Sequence, residues 1–147
     1  MMRAALLTSL ALAIALLSGC ASCDPNESVP IRLSADPGLN PYDGGPHKMD
    51  VYFFYLSVPG QFQGAPVDQL TGTNPTIAAG TFAGRKNVSP GEQTVHTLGP
   101  RALESYTHVG ILARYYQNSQ RAIAPIPNDC KLKLRLGARS IESFTSD

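Results

Sequence analysis

An apolar run at residues 4–17, opened by Arg3 and closed by Leu17, Ser18, Gly19 and Cys20, decides how much of this 147-residue chain is left to fold. Fourteen apolar or small residues fall short of the roughly 20 that a helix needs to cross a bilayer. One preceding positive charge and small residues at the end are instead the layout of an export signal that a peptidase removes. Removing residues 1–19 leaves about 128 residues, enough for one domain with a single core.

Ser18 and Gly19 let a peptidase approach the backbone, Leu17 fills an apolar pocket, and Cys20 supplies a thiol for diacylglycerol, an arrangement that resembles the bacterial lipobox. Each buried methylene is worth about 0.8 kcal/mol, so a doubly or triply acylated Cys20 holds a domain to a membrane permanently. In Gram-negative lipoproteins an Asp after the acylated cysteine favours inner-membrane retention. Ala21 and Ser22 stand here, which implies the periplasmic face of the outer membrane. An ordinary secretory signal is the alternative, but no good A-x-A site precedes a turn.

Twelve Lys and Arg face eleven Asp and Glu, and Arg3 leaves with the leader, so the mature chain is formally neutral. That removes the electrostatic case for nucleic acid. With Cys20 committed to lipid, Cys23 and Cys130 remain as an even pair in an oxidising compartment and form the one disulfide the sequence permits; two free thiols are the alternative. A bridge closing a loop of roughly 100 residues contributes a few kcal/mol in the chain-entropy account.

Residues 20–28 lack apolar periodicity and read as a tether, leaving 29–147 as the domain. Residues 29–35 alternate as a half-buried strand. Residues 36–48 carry three prolines and three glycines and form a long shaped loop. Residues 49–58 are apolar on both faces, as in a central strand. The stretch 59–80 shows only a short helix near 67–70, and 77–83 a weak strand. Ser89-Pro90-Gly91-Glu92 suits a type II turn with glycine at positive φ. Strands follow at 93–98, with Val95 opposed to Thr94 and His96, at 108–116, at 121–126 with an edge-marking Pro-Ile-Pro, and at 131–136. In the last of these Lys131, Lys133 and Arg135 point outward and would protect an edge. Short strands at roughly ten-residue spacing with little helix predict an all-β, antiparallel sandwich.

Chemistry is sparse. His47, His96 and His108 lack metal-ligand spacing, although His96 and His108 could be cross-strand neighbours, and no nucleophile elbow or phosphate loop is present. Neither a metal nor another cofactor is expected beyond the lipid on Cys20, and no enzyme. Strand packing accounts for Arg114-Tyr115-Tyr116.

Leu33-Ser34-Ala35-Asp36 through Leu39-Asn40-Pro41, an aromatic strand ending Tyr55-Leu56, then Ser89-Pro90-Gly91-Glu92 and Val109-Gly110-Ile111-Leu112-Ala113-Arg114-Tyr115, in that order after a lipobox, resemble the type VI secretion system outer-membrane lipoprotein family (TssJ, VasD or SciN). The family's usual Arg in the second strand, acidic-aromatic helix and Trp-Arg pair are replaced here by Asp50-Val51-Tyr52, a Gly/Pro-rich stretch at 61–72 and Arg121-Ala122. The resemblance implies a transthyretin-like β-sandwich that docks the membrane core complex by binding the periplasmic domain of an inner-membrane, TssM-like component. It also implies that the partner-binding loop, between the first two strands, comprises Asn40, Pro41, Tyr42, Asp43, Gly44 and Gly45. These side chains should then be dispensable for the core. The competing reading is a lipid-anchored periplasmic small-ligand carrier that uses Tyr52, Tyr55 and Tyr115 between the sheets.

Overall fold

The structure, a computed structural model, describes residues 22–147, so the signal segment and Cys20 lie outside the described residues. The strands are β1 (Val29–Ala35), β2 (Met49–Leu56), β3 (Gly80–Val88), β4 (Gln93–Leu98), β5 (His108–Arg114), β6 (Ser119–Pro125), β7 (Leu132–Leu136) and β8 (Ile141–Ser146), with helices α1 (Pro59–Gly64) and α2 (Val67–Thr71) between β2 and β3. They form two four-stranded sheets, ordered β4-β1-β7-β8 and β3-β2-β5-β6. The all-β sandwich is therefore as expected, with one departure: β1 and β7 pair in parallel. The chain's first strand occupies the middle of its sheet, and the closing β7–β8 hairpin adds to its free side.

β2 shows why both of its faces are apolar. Val51, Phe53 and Tyr55 enter the core between the sheets, whereas Tyr52, Phe54 and Leu56 face away from it and are covered by Phe62 of α1 and Leu70 of α2. Covering a sheet face with helices removes it from water, and an alternating pattern is then no longer required. Proline at the start of α1 presets its first turn. The helix lies so close to β5 that a Cβ on Gly110 would stand 2.8 Å from Leu56 Cδ1 and 3.0 Å from Phe62 Cε1. Only glycine leaves room there. Arg121 of β6 fastens the insert: its guanidinium donates to the carbonyls of Phe62, Gln63 and Ala65 and sits over the Phe62 ring. Carbonyls at a helix end lack partners within the helix, so one planar cation satisfies several at once.

Two strands escape the sequence reading, β3 in part and β8 wholly, because bulges break their periodicity. In β3 the pairing with β2 slips between Phe53 and Phe54, with Gly84 at φ 149°, and the strand runs on to Val88. Phe82 then packs beside Tyr52 and Phe54 while Ala83 meets the inter-sheet core. In β8 a slip opposite Arg135 and Leu136 brings Ile141 and Phe144, three residues apart, to the same core. Consequently β7 is an interior strand, not an edge, although its Leu132, Leu134 and Leu136 are buried as expected. β6 is an edge, as the Pro-Ile-Pro that begins at its last residue, Pro125, requires. In β4 the inward set is Thr94, His96 and Leu98, leaving Val95 57% exposed. Gly91 takes φ 72° in the turn before it, and Glu92 N donates to Ser89 O at 3.1 Å.

The sandwich has two distinct ends. At the first, Cys23 and Cys130 form a disulfide with Cα atoms 5.0 Å apart. Buried Arg101 donates from its side chain to the carbonyls of Cys23 and Tyr106, and from its backbone to Pro25 O at 3.0 Å. The described part of the segment read as a tether, 22–28, is thus fastened to the domain from Cys23 onward. Loops 99–107 and 126–131 share this end. At the other lie loops 36–48, 89–92, 115–118 and 137–140.

Candidate functional site

The distal end is organised by Asn40. β1 stops at Asp36, whose Oδ1 accepts from Gly38 N at 2.7 Å, and Leu39 then plugs the core with no exposed surface. Asn40 follows in the left-handed region (φ 51°), which asparagine tolerates better than most residues. It is 5% exposed. Its Nδ2 donates to Lys48 O at 3.2 Å, its Oδ1 accepts from Tyr116 N at 2.7 Å, and its own N–H donates to Ala138 O at 2.7 Å. One buried side chain and its backbone thereby join three of the four distal loops. Asn40 belongs to the fold, which corrects the expectation that every side chain of 40–45 is dispensable.

Pro41 leads out of the core into a tight turn. Tyr42 and Gly45 exchange backbone hydrogen bonds at 3.0 and 3.2 Å, and the central Asp43 and Gly44 have φ 49° and 84°. An Asp-Gly pair with both φ values positive is the preferred two-residue hairpin turn. Tyr42 is consequently held upright: its ring stacks on His47 at 3.5 Å with 12° between planes, and on Tyr116 at 4.4 Å and 22°. Tyr116 is 67% exposed. Sequence reasoning placed Tyr115 and Tyr116 in strand packing together, but β5 ends at Arg114. Tyr115 is buried with its hydroxyl donating to Gly137 O at 2.9 Å, while Tyr116 joins the stack. His47 was missed as well; only its position two residues before the β2 strand hinted at a place beside the loop.

A cleft of about 230 Å³ opens beside the stack, lined by Asn40, Pro41, Tyr116, Gln117, Asn118 and Arg139. A broader, shallow groove on the other side of Tyr116 carries Lys48 and Arg114. Its carboxylate, Asp50, is held by Arg85 at 3.3 Å and Asn87 Nδ2 at 3.0 Å. Lys48 and Arg114 are exposed and form no salt bridge among the described residues. The distal face thus presents stacked aromatics on a basic rim.

The tyrosines proposed for ligand binding do not converge. Tyr55 and Tyr115 have their hydroxyls engaged by Gly99 O and Gly137 O, and burial pushes both phenols above their usual range, Tyr55 to about 12. Tyr52 faces the helices instead. The histidines are also separate: His96 of β4 stacks across the core on Phe53 at 4.7 Å, and His108 begins β5 in the opposite sheet. Cys23, Glu27 and Cys130 lie together, but the two sulfurs are spent on each other.

No family model matches the chain, and no curated protein matches it in sequence. Solved structures do. The T6SS lipoprotein TssJ1 from Pseudomonas aeruginosa superimposes with a TM-score of 0.64 at 22% identity, over 82% of this chain and 95% of that one. Serratia marcescens Lip, a membrane-bound component of the type VI secretion system, gives 0.60 at 14% identity over 78% and 95%. A chain in the structure of the T6SS protein TssM C-terminal domain from EAEC gives 0.57 at 17% identity over 80% and 96%. The fold of this chain is that of the type VI secretion lipoproteins.

Proposed function

We propose that this protein is a non-catalytic lipoprotein of a type VI secretion system, anchored through acylated Cys20 in the outer membrane on its periplasmic face. Its distal end binds the periplasmic domain of the TssM-like inner-membrane component and so docks the membrane core complex. The observation that carries the reading is the Tyr42 stack, held by His47 and Tyr116 at the end of the sandwich opposite the disulfide-fastened amino terminus. Strands of seven residues at about 3.3 Å each separate the two ends by more than roughly 20 Å. An anchor at one end therefore presents the other to the periplasm. Prefixed loops with aromatic tips lose little entropy on binding, which favours them as anchors at protein interfaces.

A photoreactive amino acid at position 42, in cells expressing the secretion core, should crosslink to the inner-membrane component, whereas one at position 103 should not. Crosslinking from position 103 alone would place the partner at the wrong end. Anchoring is tested by Cys20→Ser: incorporation of labelled fatty acid should vanish, and persistent labelling would exclude Cys20 as the acceptor. With Ala21→Asp the protein should move toward the inner membrane in a density gradient.

A further inference from the structure

We infer that the proximal end of the sandwich rests on the bilayer that the anchor enters, with Leu103 and Val58 at the level of the lipid headgroups. The inference rests on acylation of Cys20. Its basis is the length of free chain. Cys23 is fixed to the domain twice, through the disulfide to Cys130 and through Arg101, which holds the Cys23 and Pro25 carbonyls. Only Ala21 and Ser22 separate Cys20 from that clamp. Three residue steps span at most about 10 Å, so the clamped end cannot stand farther than that from the acylated cysteine. Had the chain been free up to Val29, the same geometry would have allowed about 30 Å.

The surface held there fits an apolar-headgroup boundary. Among the large hydrophobic residues left exposed, Val58 at 45% and Leu103 at 52% both lie in loops at this end, and Phe82 lies in the proximal half of β3. The two loops leave the sheet side by side, where Thr107 N donates to the O of Leu56 at the end of β2, at 3.0 Å. Charge does not supply the attraction. Asp24, Glu27, Glu104 and Asp129 are exposed at this end against Lys131, a balance that anionic lipid repels. Contact is imposed by the short tether and made with apolar side chains, so it should not require anionic lipid. The disulfide, on this view, fixes the distance of the domain from the membrane as well as stabilising it.

The chain contains no tryptophan, which makes a single indole a clean probe. Acylated full-length mature protein carrying Leu103→Trp, or Val58→Trp, is reconstituted into phosphatidylethanolamine–phosphatidylglycerol vesicles with brominated acyl chains. Val95→Trp, exposed midway along β4, is the control. The indole at 103 should emit at shorter wavelength than in the detergent-free soluble fragment and be quenched several-fold more strongly than the one at 95. A long Gly-Ser spacer between Ser22 and Cys23 should reduce that quenching to the control level, and replacing phosphatidylglycerol by phosphatidylcholine should leave it unchanged. Protein that does not float with the vesicles overturns the anchor itself. Protein that floats while the indoles at 103 and 58 remain as unquenched as the control overturns this inference alone, as does quenching that survives the spacer.

Discussion

Replacing Asn40 by alanine should unfasten the distal end, and the magnitude can be assembled from its contacts. The substitution removes the Nδ2 bond to Lys48 O and the Oδ1 bond from Tyr116 N. Lys48 and Tyr116 are themselves exposed residues, so water can reach part of what is vacated, and each loss is set at about 1 kcal/mol, the low end for an abandoned partner. Alanine at φ 51° adds about 1 kcal/mol of left-handed strain. Asn40→Ala should thus cost about 3 kcal/mol, and with about 4 °C per kcal/mol for a domain of this size Tm falls by about 12 °C. Asn40→Gly loses the same two bonds without the strain and should cost about 2 kcal/mol. Chemical denaturation of the soluble domain measures both. A loss below 0.5 kcal/mol for alanine would refute the assignment of Asn40 as the residue that joins the loops, and identical losses for alanine and glycine would remove the strain from the account.

Further outcomes follow from the other fastenings. Cys23→Ser with Cys130→Ser opens a loop of 107 residues and should cost about 5 kcal/mol in the chain-entropy account, read as a large fall in Tm; an unchanged Tm would show that Arg101 alone secures the segment. Arg121→Lys cannot span three carbonyls, so hydrogen exchange at 57–79 should accelerate while β1 and β7 keep their protection, and equal protection throughout would remove its capping role. His96 is held below its ordinary pKa of 6.5 by burial and then by Lys86. Its neutral form is favoured in the folded state, so its contribution is complete above pH 6.5 and is lost as pH falls from there through the folded pKa. NMR titration should place its midpoint below 6.5, and His96→Gln should flatten that part of the stability profile.

Much of this fold was legible because its elements alternate cleanly. β1 and β4 have the expected bounds, and β2 carries the doubly apolar signature of a strand covered on both sides. What could not be read was hidden by specific geometry. Ile141 and Phe144 share a face only because a bulge inserts a residue between them, and two apolar residues three positions apart do not announce a strand. β3 is obscured in the same way at Gly84. α1 has six residues, two of them glycine, and is held by Arg121 from a distant strand, a tertiary contact with no local trace. Val95 points outward although it is the apolar member of its triplet, since the core is filled there by Thr94, His96 and Leu98. At the candidate site the resemblance supplied the loop, but it could not separate buried Asn40 from the surface residues after it. Nor could it bring His47 and Tyr116 to Tyr42, because that juxtaposition depends on the hydrogen bonds from His47 N to Leu39 O and from Tyr116 N to Asn40 Oδ1.

The central claim is that the distal end is a docking surface, and it is tested most directly by calorimetric titration of the soluble domain with the purified periplasmic domain of the inner-membrane component. Wild-type protein should bind saturably. Tyr42→Ala removes an aromatic anchor worth about 2 kcal/mol at an interface, a roughly thirtyfold loss in affinity. Because Tyr42 stacks on two rings near the surface, the same change should cost only about 1 kcal/mol of stability. Near-normal unfolding with thirtyfold weaker binding is the predicted result. Wild-type protein that does not bind, or binding untouched by Tyr42→Ala together with Tyr116→Ala in a folded domain, would contradict it.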